Sequence, residues 1–379
     1  MNALFISYNL FCIDKRDGGR QVSFRNRNCF GNVIDGRLYT LFILFSEGTD
    51  TIKLEENEIA LQGAKNKVLS LLNYIHGYAM ITPQIEQYII DFINNKEIDL
   101  VFFDSSIFGH TIREVTRRTT SKTICYMHNV EAIYSYNRVR NESKLYYPLY
   151  KAYRKNEKLA VEYSDFLISI NERDAKQTQE LYGRFPDEII NVTFPDALDM
   201  NLIRQQNDIK NDKLKLLFIG SYFQPNVHGL KWFISEVLPE LSATICVVGK
   251  GMENLKNELQ SDNVQVIGSV EDLSDYYYKY DAIVLPIFYG SGMKVKTAEA
   301  LMYGKVIFAT NEALEGYETV EKSVYRCNTK EEFVSSITDY QRYGVMSYSD
   351  QSRLIYLEKY SNESAEKKMK KIIKVLFHE

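Results

Sequence analysis

Cysteine is sparse and scattered. The chain of 379 residues holds five, Cys12, Cys29, Cys125, Cys246 and Cys327, with no Cys-x-x-Cys pair. Such spacing argues against a zinc site and a disulfide framework, and it suits a reducing compartment. Long apolar runs are also missing: no window reaches the length of a transmembrane helix. Met1-Asn-Ala-Leu-Phe-Ile-Ser7 is too short for a signal peptide and reads as a first strand. A cytoplasmic protein is expected, with the inner face of a membrane as a possible station. There is no excess of positive charge: the net charge is −4, so no nucleic-acid partner is expected. Gly-x-Gly-x-x-Gly, a Walker A sequence and an Asp-x-Asp pair are all absent. The dinucleotide fingerprint and the P-loop are therefore unsupported, and no metal site is expected.

What is present is alternation. Short apolar runs exchange with longer amphipathic stretches, the pattern of βα units and parallel sheets. In the first half, strands are expected at 3–8, 38–45, 100–104, 123–127, 166–170 and 189–193. Helices are expected at 82–94, 143–163 and 172–182, and the polar stretch 46–63 reads as a loop. Phe194-Pro-Asp-Ala-Leu-Asp199 and the polar run 204–213 look like a linker. The pattern then restarts, with strands at 214–220, 244–249, 264–268, 282–286 and 306–309. The expectation is α/β: two Rossmann-like doubly wound domains, 1–198 and 199–360, with a lysine-rich helix over 361–379.

The most telling stretch is Tyr289-Gly-Ser-Gly-Met-Lys-Val-Lys-Thr-Ala-Glu-Ala-Leu-Met-Tyr-Gly304, set between two apolar strands. A helix over 293–303 is expected, with Ser291 as its N-cap and Gly304 just past its end. Lys294 and Lys296 then fall at the end of the helix where the macrodipole favours anions. Cations there make sense if an anion is held by the helix N–H groups, the glycine loop and the lysines together. Glu299, three residues past Lys296, shares its face and can accept hydrogen bonds from ribose hydroxyls. A nucleoside-diphosphate site at the carboxyl end of a parallel sheet fits these residues.

Four other places carry weaker signals, each with a plainer structural reading. Asp17-Gly-Gly-Arg20 follows the first strand: its glycines can admit a ligand to the backbone, or simply turn the chain. His128-Asn129-Val-Glu131 closes a strand where α/β ligands bind, though a cap and a buried histidine would look the same. Gly220 to Gly229 offers Ser221 and Asn226 to a diphosphate, or is a Pro-Asn turn opening a helix. Val248-Gly249-Lys250-Gly251 is a second loop past a strand, or an ordinary βα turn. The basic, tyrosine-rich segment Arg138–Lys158 reads as a solvated face or as a surface meeting anionic lipid heads.

In this order these pieces resemble the GT-B glycosyltransferases, within them the retaining glycosyltransferase family 4, over nearly the whole chain. The Gly-Gly-Arg run, His128-Asn-Val-Glu131, Ala160 to Asp174, Phe218-Ile-Gly-Ser-Tyr222 and Asp281 to Pro286 all match, and Gly290 to Gly304 is the most specific match. The resemblance implies two domains facing each other across a cleft, the donor on the second and the acceptor on the first. It implies that Glu299 holds the ribose, Lys296 and Lys294 neutralise the diphosphate, and Gly18 and Gly19 close over the phosphates. It places His128 where donor sugar and acceptor meet, and lays the last helix back on the first domain. Catalytic residues are thus expected to be His128, Lys296 and Glu299. Substrate-binding residues are expected to be Gly18, Gly19, Arg20, Asn129, Ser221, Asn226, Gly249, Lys250, Ser291, Gly292, Met293, Lys294 and Val295. Two departures stand out: Ser291 replaces the first glutamate of the family's Glu-x7-Glu motif, and the Arg and Lys usual after the second domain's first strand are absent.

The implied activity is metal-independent transfer of a sugar, with retention, from a nucleoside-diphosphate sugar to a saccharide, glycolipid or glycoprotein acceptor. The implied setting is cell-surface polysaccharide or glycolipid synthesis. No cofactor is expected beyond the donor itself. A sugar-nucleotide epimerase of the same fold and a catalytically inactive GT-B partner protein are the alternatives. NMR of a donor without acceptor separates the epimerase, which would yield a new sugar nucleotide.

Overall fold

The computed structural model describes residues 1–9, 18–44, 54–63, 67–79, 81–206, 213–290, 293–320 and 322–378. Contacts divide the chain into two units: Met1–Asn191 with Ala365–Glu379, and Val192–Ser364. Among the described residues no helix is long and apolar enough to cross a membrane.

The first unit is built on β1 (Asn2–Ser7), β2 (Arg37–Leu44), β3 (Glu58–Gln62), β4 (Leu100–Phe103), β5 (Lys122–Met127), β6 (Phe166–Ser169) and β7 (Glu188–Ile189). They pair in the order β3-β2-β1-β4-β5-β6-β7, every pair parallel. A parallel sheet buried on both faces needs apolar residues at consecutive positions rather than alternate ones. Ala3 to Ile6 and Leu100 to Phe103 meet that need, all fully buried. The helix Pro83–Asn95 shows how local signals place the covering layer. Thr82 caps it by accepting from the Ile85 N–H, Pro83 fills a position that needs no donor, and Ile85, Ile89, Ile90 and Ile93 are buried. The last helix, Asn362–Phe377, meets this unit through Asn32, which donates to Glu366 at 2.6 Å, and through Lys368, 3.2 Å from Glu188.

The second unit carries β8 (Leu214–Ile219), β9 (Ala243–Val248), β10 (Val264–Gly268), β11 (Ala282–Leu285), β12 (Val306–Ala309) and β13 (Val324–Arg326) in the order β10-β9-β8-β11-β12-β13, again all parallel. Each sheet reverses its winding at one point, between β1 and β4 and between β8 and β11. Ligands of doubly wound sheets bind at the carboxyl ends of the strands at such points.

Several expectations need correction. The stretch 46–63 is not all loop: its end forms β3, a half-buried edge strand with weak patterning. β13, only Val324–Arg326, is too short to give a periodic signal. The helix expected over 293–303 is Val295–Met302, because Lys294, with extended backbone, is its N-cap. Ser291 and Gly292 lie outside the described residues. Gly18, Gly19 and Arg20 open the helix Gly18–Val33 instead of forming a loop.

One glycine sets how closely a helix approaches the second sheet. On the helix Gln224–Trp232, a Cβ at Gly229 would stand 1.6 Å from the Pro286 carbonyl oxygen. Gly229→Ala must push the helix off β11, and overpacking of this kind costs about 1–3 kcal/mol. A lowered melting temperature in calorimetry is the expected result, and an unchanged one would show that the helix can shift freely.

Candidate active site

β11 is followed by Pro286, and the next helix is Val295–Met302. Tyr317 donates from its hydroxyl to the Lys294 carbonyl at 2.9 Å, and the Thr297 N–H bonds the same oxygen at 3.0 Å. The helix ends at Gly304, whose φ of 62° suits glycine, with Lys305 N–H returning to the Ala300 carbonyl. Its first turn therefore points from a fixed place at the second sheet's reversal point. Met293 is buried, whereas Lys294, Val295 and Lys296 are half-buried.

Both lysines are paired. Lys296 Nζ is 2.7 Å from Glu299 Oε2, and the buried Tyr277 hydroxyl donates to the same oxygen at 3.0 Å. Tyr277 is held in turn by Tyr303, stacked at 4.4 Å. Burial, with Glu299 adjoining, raises the Tyr277 phenol, so it stays a donor. Lys294 Nζ is 2.7 Å from Glu312 Oε1. Glu312 follows β12 and lies beside Gly290, where a Cβ would be 3.5 Å from its Oε1. Two ammonium groups and two carboxylates thus share one end of the sheet. Tyr277 and Glu312 escape sequence reading because they come from other βα units, Tyr277 from the helix Ser274–Lys279 and Glu312 from the turn after β12.

The two glycine loops of this unit meet. The Tyr222 N–H donates to the Lys250 carbonyl at 2.8 Å, and a Cβ at Gly249 would lie 2.0 Å from the Gly220 oxygen. Asn226 turns its amide back to the Ser221 carbonyl at 2.9 Å, which gives it a loop-bracing role. Ser221 and Lys250 are exposed.

In the first unit, His128 at the end of β5 is buried and tied to Asp104 at the end of β4, Nε2 to Oδ1, at 3.0 Å. Asp104 is fully buried and also accepts from Ser7 at 2.9 Å and Asn26 at 2.7 Å. A carboxylate facing Nε2 places the proton of a neutral imidazole there and leaves Nδ1 as the acceptor. Asn26 brings the helix Gly18–Val33 to this cluster. Gly19 is exposed and Arg20 half-buried, and neither has a bond to His128 among the described residues. Asn129 is half-buried, and Glu131, which opens the helix Glu131–Asn141, is buried. Glu157 caps that helix from below, accepting from the Glu131 and Ala132 N–H groups at 2.5 and 3.2 Å. Among the described residues no cluster of His, Cys, Asp and Glu could hold a metal ion.

Residues 213–340, most of the second unit, match the family model described as glycosyl transferases group 1. Among curated proteins no sequence matches the chain. Solved structures match along its full length. Sucrose-phosphate synthase from Thermosynechococcus elongatus is 12% identical, covering 100% of this chain and 99% of its own, with a TM-score of 0.70. The lipopolysaccharide outer core galactosyltransferase WaaB is 13% identical over 99% of this chain and 100% of its own, TM-score 0.71. HepE from Anabaena, solved with UDP-glucose, is 14% identical over 99% and 100%, TM-score 0.64.

The fold is GT-B.

Within that GT-B chain, the matched region contains β8 to β12, both glycine loops and the Lys294–Lys296–Glu299 cluster. The His128–Asp104 pair lies outside it, in the first unit.

Proposed function

We propose that the protein is a glycosyltransferase that moves a sugar from a nucleoside-diphosphate sugar to an acceptor hydroxyl with retention of configuration and without a metal ion. The observation that carries this reading is the placement of Lys294 and Lys296 at one helix N-terminus, with Glu299 one turn on, at the reversal point of a sheet. An incoming diphosphate is the stronger partner for both ammonium groups. It draws Lys296 from Glu299 and Lys294 from Glu312, which frees the Glu299 carboxylate, still braced by Tyr277, to accept from ribose hydroxyls.

In the transfer, the bond between the anomeric carbon and the phosphate oxygen breaks. The acceptor oxygen bonds the same face of that carbon, and its proton passes to the departing phosphate. Negative charge grows on the diphosphate as this happens, so the lysines and helix N–H groups contribute most in the transition state. His128, set by Asp104 with Nδ1 as acceptor, holds a sugar hydroxyl in place. That HepE was solved with UDP-glucose and WaaB is a galactosyltransferase of lipopolysaccharide supports a nucleotide-sugar donor and a cell-surface polysaccharide or glycolipid acceptor. Contact with a membrane surface through Arg138–Lys158 is in keeping with the exposed Leu145 and Tyr147 among its cations.

A thermal-shift panel of UDP-, GDP-, ADP- and dTDP-sugars tests the reading. One nucleotide class should raise the melting temperature by the linkage expected for a bound ligand, about 2.7 kcal/mol at a hundredfold excess over Kd. No shift with any of them would overturn the donor assignment.

A further inference from the structure

Glu312 has no role in the transfer chemistry above, yet its place is fixed from several directions. It lies in the turn after β12, and that turn is bonded to the helix Val295–Met302, to the chain after β11 and to the chain after β13. The buried Thr297 hydroxyl, in the first turn of the helix, donates to the Ala313 carbonyl at 2.8 Å. The buried Thr310 hydroxyl donates to the Ile287 carbonyl and accepts from the Ala313 N–H at 3.3 Å. The Asn311 N–H donates to the Asn328 side chain at 2.9 Å, and Arg326 donates to the Asn311 side chain at 3.0 Å. A turn held this way presents its carboxylate in a preset position.

The side chains of Lys294 and Glu312 are only 15% and 20% exposed, and their 2.7 Å bond satisfies both. A diphosphate that draws Lys294 away leaves a largely buried carboxylate without its cation. That state is unfavourable unless other hydrogen-bond donors take the place of the ammonium group. A bare nucleoside diphosphate has no such donors at its phosphate end. A nucleoside-diphosphate sugar has them, because its sugar hydroxyls lie just past the second phosphate. The order of groups agrees. Across one helix start the pairs are Glu299 with Lys296 and Lys294 with Glu312, so each amine has a carboxylate of its own. The ligand runs from ribose hydroxyls through two phosphates to sugar hydroxyls. O–H groups bonded to a carboxylate form the short, charge-assisted kind of hydrogen bond.

We propose that Glu312 is a specificity residue for the donor: once the diphosphate takes Lys294, its carboxylate accepts from hydroxyls of the sugar being transferred. This rests on the nucleotide-sugar reading above. Glu312 then distinguishes the sugar nucleotide from the bare diphosphate. After transfer the hydroxyls leave with the sugar, Glu312 competes again for Lys294, and the spent diphosphate is held less tightly.

The test is isothermal titration of the full chain with matched ligands: UDP and UDP-glucose, GDP and GDP-mannose, ADP and ADP-glucose, dTDP and dTDP-glucose. In the pair that binds, Glu312→Ala should weaken the sugar nucleotide about tenfold or more. The bare diphosphate should bind that variant as it binds wild type, or more tightly, since Lys294 is no longer held. This binding also shows that the variant folds. Glu312→Gln keeps the shape and accepts hydrogen bonds without charge, so its loss should be smaller. Lys294→Met should weaken both ligands. An equal change in both ligands on Glu312→Ala, or no change in either, overturns the role of Glu312 and leaves the donor site standing. A wild-type protein that binds none of these ligands removes the donor reading itself, and the role of Glu312 with it.

Discussion

Lys296→Ala should lower sugar transfer about 10²–10³-fold, the loss typical of removing one preorganised group aimed at developing charge. The argument rests on where Lys296 stands. It occupies the second position of the helix Val295–Met302, at the end where the macrodipole favours an anion. Its partner Glu299 lies one turn on, so the resting ion pair holds the amine close to where a phosphate would arrive. The pair is partly exposed, which makes it worth little to stability and easy to exchange for a diphosphate. The effect should appear mainly in kcat, because charge on the leaving oxygen is largest in the transition state. Glu299→Ala should act differently, raising the donor KM about tenfold or more through loss of the ribose bonds proposed for it, worth about 1.5–3 kcal/mol. It also leaves the buried Tyr277 hydroxyl without its acceptor. Steady-state kinetics with donor varied separates the two. A Lys296→Ala enzyme with wild-type kcat would remove the leaving-group role.

How far these residues were legible depends on distance along the chain. The strands declare themselves because a parallel sheet needs consecutive apolar residues, and β1, β4, β5, β8, β9, β11 and β12 all have them. β3 and β13 sit at sheet edges, where one side needs no partner and patterning relaxes. Lys296 and Glu299 could be paired from their spacing of three on a helix. Glu312 could not be joined to Lys294, since eighteen residues and a strand intervene. Likewise nothing in the spacing of Asp104 and His128 reveals their bond. It follows from β4 and β5 being parallel neighbours, with Phe103 opposite Cys125, and strand order is a tertiary fact. The helix start was misplaced because Ser291 is the better capping residue by type, whereas the observed cap, Lys294, makes no side-chain bond to the helix. The apparent misplacement of two cations is resolved first by carboxylates, and an anionic ligand then has to compete with them.

The other large effect concerns Glu131 and pH. Its carboxyl moves from an ordinary 4.5 to about 8 on folding, driven first by burial and then by Glu157. Burial raises the Glu157 carboxyl too, but it accepts two helix N–H groups, the Ser106 hydroxyl and the Tyr182 hydroxyl at 2.8 Å, which oppose that rise, so of the two acids it is the better placed to keep its charge. Asp104, Tyr8, Tyr153 and Tyr134 also face the Glu131 region, and Arg138 lies at its rim. Between pH 4.5 and about 8 the folded protein retains a proton that the unfolded chain has released. Stability must therefore fall as pH rises through that window and level off above it, the reverse of a salt-bridged acid. Over the whole window the loss amounts to about 5 kcal/mol. Glu131→Gln keeps the shape and cannot ionise. The two proteins should unfold alike near pH 4.5, and the variant should be the more stable by several kcal/mol at pH 9. Urea unfolding at intervals across this range measures it. Parallel curves would mean that Glu131 is ionised in the fold.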